Sequence, residues 1–174
     1  MLHSAVESQN VKEVKRLLKI SYTNVNERDK YLQTPLHCAV ATGNAEIAQL
    51  LIGRSADVNA TDRNSWTPLH TACNSGNLNM VSMLLDIPKV NVSVLSKDGT
   101  SALHYLVKTK CQRDEVARYQ SLLQKMVDKG ADINLASVHG EVPLHQTVTA
   151  GNEVAVKFLL EAKCKVNVQN RYLS

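Results

Sequence analysis

The sequence predicts an all-α repeat solenoid: short helix-turn-helix units stacked side by side, with β-hairpin or loop fingers joining each unit to the next. Three observations carry that reading. A Pro-Leu-His type motif returns at a near-fixed period, a Gly-Asn pair follows most copies six residues after the His, and a leucine-rich stretch follows each copy at helical spacing.

The motif is seen first in clipped form as Leu2-His3-Ser4-Ala5. It recurs as Thr34-Pro35-Leu36-His37-Cys38-Ala39, Thr67-Pro68-Leu69-His70-Thr71-Ala72, Ser101-Ala102-Leu103-His104 and Val142-Pro143-Leu144-His145. Pro35, Pro68 and Pro143 suit the first helical position, where a missing N–H costs nothing, and Thr34 and Thr67 precede them as caps. Gly43-Asn44, Gly76-Asn77 and Gly151-Asn152 then permit a left-handed turn between two helices. Leu17-Leu18, Leu50-Leu51, Leu84-Leu85, Leu122-Leu123 and Leu159-Leu160 mark the second helices. Val25-Asn26, Val58-Asn59, Ile133-Asn134 and Val166-Asn167 lead into polar fingers, where Asp29, Asp62 and Asp98 read as turn formers. Helices this short cannot bury an apolar face alone, so neighbours must stack. One domain over residues 1–174 follows, with units at 1–33, 34–66, 67–100, 101–141 and 142–174.

Departures from the period are informative. An extra residue falls around Asp86-Ile87-Pro88-Lys89, and the fourth unit carries an insert near 108–118 in place of its inter-helix glycine. Tyr119, Leu122, Leu123, Met126 and Val127 keep helical spacing after it, with Asp114 expected as the cap. Gly99 and Gly140 close two fingers where Leu32 and Ser65 stand in the others, so those two are expected to be less regular. The clipped first motif and an end at Ser174, one residue before a further motif is due, are expected of a segment of a longer array.

Composition narrows the function classes. The chain is 44% hydrophobic and 21% charged but only 4% aromatic, which suits closely packed small helices and excludes wholesale disorder. A net charge of +4 is too even for a phosphate-tracking groove, and no apolar run of membrane-spanning length or signal sequence is present. The four cysteines, separated by 35, 38 and 53 residues, match neither zinc nor disulfide-scaffold spacing and point to a reducing compartment, cytoplasmic or nuclear. The histidines fall once per unit, roughly 10 Å apart if units stack by helix diameter, too far for shared ligation of a metal. They read as structural, each bonding to backbone of an adjacent unit. No phosphate-cradling or nucleophile motif occurs, Cys38 and Cys73 fall at core positions, and no enzyme or cofactor is expected. The basic residues of the second helices read as solvated faces.

Period and motif together resemble the ankyrin repeat, over the whole chain. That resemblance implies a concave face, lined by fingers and first helices, that binds other proteins. On it the expected contacts are Arg28, Lys30 and Tyr31 in one finger, Arg63, Asn64 and Trp66 in the next, Asn74 at a first-helix end, Lys97 in the third finger and His139 in the fourth. Trp66, the only Trp, is expected to be exposed, and Trp, Tyr and Arg are enriched in interface hot spots. Lys30 and Lys97 favour an acidic segment of the partner. The chain is thus expected to be a monomeric adaptor or scaffold part of a larger protein, binding neither nucleic acid nor membrane. The alternative is a structural or intramolecular regulatory spacer whose specific contacts come from the 108–118 insert.

Overall fold

The structure, a computed structural model, describes residues 1–171. The last three residues of the expected fifth unit, Tyr172 to Ser174, lie outside the described residues. The helices pair as α1 (Leu2–Glu7) with α2 (Val11–Leu18), α3 (Pro35–Ala41) with α4 (Ala45–Gly53), α5 (Pro68–Asn74) with α6 (Leu78–Leu85), α7 (Ala102–Leu106) with α8 (Val116–Asp128), and α9 (Pro143–Ala150) with α10 (Glu153–Glu161). First helices stack in order, α1 on α3, α3 on α5, α5 on α7, α7 on α9. Among second helices α2 meets α4 and α8 bridges α6 and α10. The core is one continuous seam of small and branched side chains, with Leu36, Leu69 and Leu103 of the motif, and Ile47, Leu51, Leu84 and Leu123 of the second helices, all closed to water.

The motif builds its own helix start. Thr34 N–H donates to His37 Nδ1 at 3.1 Å, with the same arrangement at Thr67 and His70 and at Ser101 and His104 (3.2 Å each). With Nδ1 accepting, the other ring nitrogen carries the proton and donates to backbone in the finger that ends its own unit. Nε2 reaches Gln33 O from His3 (2.9 Å), Trp66 O from His37 (3.0 Å), Glu141 O from His104 (3.2 Å) and Val168 O from His145 (2.9 Å). These four histidines are satisfied structurally, but each bonds to the finger backbone of its own unit and not, as expected, to an adjacent one. His70 is the exception: its buried Nε2 lies toward the Thr100 and Val94 carbonyls without a hydrogen bond of normal geometry.

The fingers are turns rather than β-hairpins. Asp29 Oδ1 accepts Tyr31 and Gln33 N–H at 2.8 Å each, and Asp62 Oδ1 accepts Asn64 and Trp66 N–H at 2.7 and 2.9 Å. A side chain that satisfies the donors inside the turn leaves little backbone for a strand ladder. Only the isolated antiparallel bridge between Leu95 and Ser101 survives among the described residues. In the third finger Ser96 Oγ, not the expected Asp98, takes the turn donor from Thr100, and Ser137 does so in the fourth. Nor are the fingers without glycine irregular: Leu32 (φ 60°) and Ser65 (φ 62°) adopt the left-handed backbone of Gly99 (70°) and Gly140 (75°).

The insert replaces the fourth inter-helix turn. Asp114 does not cap α8. Instead a 3-10 turn over Arg113–Glu115, started at Gln112, feeds into Val116. Its root is buried: Tyr119 OH donates to Leu106 O at 2.9 Å, and Asn152 Nδ2 lies 2.8 Å from Val107 O, 2.7 Å from Thr109 O and 2.9 Å from Tyr119 OH. Asn152 Oδ1 meanwhile caps α10 through Ala155 N–H.

Candidate functional site

One backbone hydrogen bond per junction sets the finger row. Arg63 N–H donates to Tyr31 O, Lys97 N–H to Asn64 O and Val138 N–H to Asp98 O, each at 3.0 Å, and Arg171 N–H donates to His139 O at the same distance. The finger tips therefore form a ladder running across the stack.

Two clusters stand on it. In the first, the Tyr31 ring meets two cations, with Lys30 Nζ 4.9 Å and the Arg63 guanidinium carbon 4.6 Å from its centroid. All three side chains are exposed. Arg28 stands beside them, its guanidinium donating to Thr61 O at 2.8 Å, so it ties two fingers together as much as it faces solvent. The finger carboxylates do not neutralise this edge by pairing with its side chains, because Asp29 and Asp62 turn inward onto backbone N–H groups.

The second cluster corrects the reading of Trp66. The ring is half-buried, packed against Tyr105 of α7 at 4.7 Å and 57°, with the His70 ring 6.2 Å away. Lys108 Nζ lies 5.6 Å over Tyr105, whose hydroxyl is 2.9 Å from Thr100 Oγ1. Trp66 thus belongs to a junction between units. Tyr105 is the residue that sequence reasoning missed here. Its signal was an aromatic at the first-helix position where the preceding units carry Cys38 and Thr71. Burial pushes the His70 imidazole down to about 4, and burial at their own helix starts lowers His37 and His104 as well.

The remaining expected contacts are scattered. Asn64 and His139 are exposed at the tips of the second and fourth fingers and Lys97 at the third, while Asn74 is exposed at the end of α5 near Tyr105 and Lys108. The structure brings together Lys30, Tyr31 and Arg63. It does not bring Asn74 to them.

The second-helix face offers a weaker case. Lys15 pairs with Glu46 and Arg16 with Glu13, each at 2.7 Å, and Lys125 pairs with Asp86, so part of its basic charge is already answered by exposed carboxylates. Burial pushes the Cys38 thiol up to about 11 and raises Cys73, Cys111 and Cys164 too, away from the thiolate form. No helix among the described residues is long and apolar enough to cross a membrane.

Comparison with known proteins agrees with the repeat geometry. The family profile "Ankyrin repeats (3 copies)" matches residues 1–62 and 55–119, and "Ankyrin repeat" matches residues 139–171. The chain is 31% identical over 97% of its length to the B-cell lymphoma 3 protein homolog of Mus musculus, and 29% identical over 96% to an ankyrin repeat protein of Fowlpox virus. It is 31% identical over 98% to the nuclear factor NF-kappa-B p105 subunit of Gallus gallus. It spans 37% of the mouse protein, 84% of the viral one and 14% of the chicken one.

Proposed function

The chain belongs to the ankyrin-repeat family, and from that premise we propose that its finger edge holds a partner protein through an acidic segment. Ankyrin repeats are protein-interaction modules and generally non-catalytic. The finer reading is a monomeric adaptor or scaffold part of a larger protein, acting in cytoplasm or nucleus without binding nucleic acid or membrane. Within it the five units keep the bounds 1–33, 34–66, 67–100, 101–141 and 142–174.

The observation that carries the reading is Tyr31 in contact with both Lys30 and Arg63 on an exposed edge whose aspartates are turned inward. Such a cluster presents rigid aromatic area and two cations at little further entropic cost, the composition of an interface anchor. Asn64, Lys97 and His139 extend the surface along the ladder. Arg28, which bonds to Thr61 O, and Trp66, packed on Tyr105, flank it, and Asn74 is its outlying member.

The test is site-specific photocrosslinking in cells producing the whole chain, with the crosslinker at Asn64 on the finger edge or at the exposed Gln49 of α4. A protein crosslinked from Asn64 and not from Gln49, and lost with Arg63→Gln, is the expected outcome. Equal or exclusive crosslinking from Gln49 would move the site to the second-helix face.

The insert supports a second reading. Lys110, Gln112, Arg113 and Asp114 are exposed on a root pinned by Asn152 and Tyr119, an arrangement suited to an intramolecular contact within a larger protein. Replacing those four residues by Gly-Ser sequence and finding regulation of the larger protein unchanged would exclude it.

A further inference from the structure

In each of the first three fingers, one residue follows the side chain that caps the turn: Lys30 after Asp29, Arg63 after Asp62, Lys97 after Ser96. These three cations therefore occupy the same register in successive units. The ladder confirms the equivalence, since it is the N–H of Arg63, of Lys97, then of Val138 and Arg171 that bonds back to the preceding finger. Read across the stack, the column is Lys30, Arg63, Lys97, Val138, Arg171, every member exposed. Four rungs are cationic and one is apolar.

We propose that this column reads an extended acidic segment of a partner protein, with an acidic side chain at every third residue and an apolar one at the rung of Val138. The inference rests on the reading of the finger edge given above and adds its register. Stacked helices set neighbouring rungs about 10 Å apart. An extended chain advances about 3.3 Å per residue, so three residues match one rung. A helical partner would need acids about seven residues apart and roughly 28 residues to cover the column, against about 13 for an extended one.

Charge and stacking favour protein over nucleic acid. The column is interrupted by Val138, which a uniform phosphate chain has no use for. Its one aromatic neighbour, Tyr31, is already covered by Lys30 and Arg63, and Trp66 is packed on Tyr105, which leaves no platform for stacked bases. Two exposed carboxylates lie near this edge, Glu27 before the first finger and Asp98 beside Lys97. Asp98 opposes an acidic ligand.

The experiment is fluorescence anisotropy with the whole chain at low ionic strength and labelled synthetic peptides. One peptide carries Asp at every third position, separated by Ser and Thr, and a second has the same composition with Asp at every second position. A single-stranded oligonucleotide of similar charge is the third probe. The spaced peptide should bind roughly tenfold tighter than its permutation, the scale of a few surface ion pairs acting together. Arg63→Gln should abolish the difference, Arg63→Lys should keep it, and Asp98→Asn should tighten binding. Equal binding of both peptides, weakened alike by Arg63→Gln, overturns the register while leaving the acidic partner standing. Binding indifferent to Arg63→Gln, or absent for both peptides, overturns the acidic-edge reading as well. Tightest binding of the oligonucleotide overturns both in favour of nucleic acid.

Discussion

The Asn152 carboxamide lies 2.9 Å from the Tyr119 hydroxyl, joining the cap of the last second helix to the buried root of the fourth-unit insert. Its Nδ2 also reaches Val107 O and Thr109 O, while Oδ1 accepts Ala155 N–H. Asn152→Asp keeps the cap but loses the donors and sets a buried carboxylate against two carbonyls. It should cost about 2–3 kcal/mol in urea unfolding, at least as much as Asn152→Ala. A side chain that served only as a cap would tolerate Asp with little change.

Acid should loosen the stack through its histidines. His37, His70 and His104 are held neutral by burial, with His70 down to about 4. Below pH about 6.5 the unfolded imidazoles take up protons that the folded ones refuse, so their contribution is complete above that pH and is lost as pH falls toward 4. His70 alone stands for roughly 2–3 kcal/mol across that window. Urea midpoints should be flat above neutrality and decline from about 6.5 downward. An NMR titration in which the His70 ring protonates near 6.5 would remove the explanation.

Trp66 and Tyr105 should be energetically coupled. Their rings lie 4.7 Å apart across a junction, and a double-mutant cycle to Leu should give about 0.5–1.5 kcal/mol. Trp66 emission should shift with Tyr105→Leu, reporting the junction directly. A coupling of zero would mean that Trp66 is free to act as the exposed anchor its place before the motif suggests.

The two fingers without glycine carry avoidable strain. Leu32 at φ 60° is half-exposed, so Leu32→Gly should raise stability by about 0.5–1 kcal/mol despite the loss of a side chain. Gly140→Ala should do the reverse. A Cβ there would stand 3.1 Å from Asn170 Cα and 3.3 Å from Arg171 N, at a backbone angle of +75°. Paired urea melts of the two variants check both signs.

Much of this was legible in the sequence because repetition prints local chemistry several times over. Proline at the first helical position, the motif His and the leucine stretches each follow from one local rule, and the helix pairs, caps and core fell where the period placed them. The misses came where a side chain answers to a neighbour that varies. Trp66 precedes its motif where polar residues stand in other units, yet Tyr105 on the first helix of the fourth unit draws it into a junction. Asp98 resembles Asp29 and Asp62, but Ser96 already occupies the capping position two residues earlier, which leaves Asp98 at the tip. Leu32 and Ser65 read as irregular because a side chain disfavours positive φ, whereas each sits inside a turn closed by Asp29 or Asp62 that runs through that conformation. Of the expected site, Lys30, Tyr31 and Arg63 were found together, and their equivalent register with Lys97 became plain only when the turn bonds aligned the fingers.

The most direct test of the finger edge as the binding surface is an amide chemical-shift map of the whole chain, titrated with the peptide bearing Asp at every third residue. The account predicts changes confined to the rungs at Lys30, Tyr31, Arg63, Asn64, Lys97 and their neighbours, with α2, α4 and α6 silent. Changes concentrated on those second helices, or on the 108–118 insert, would contradict it.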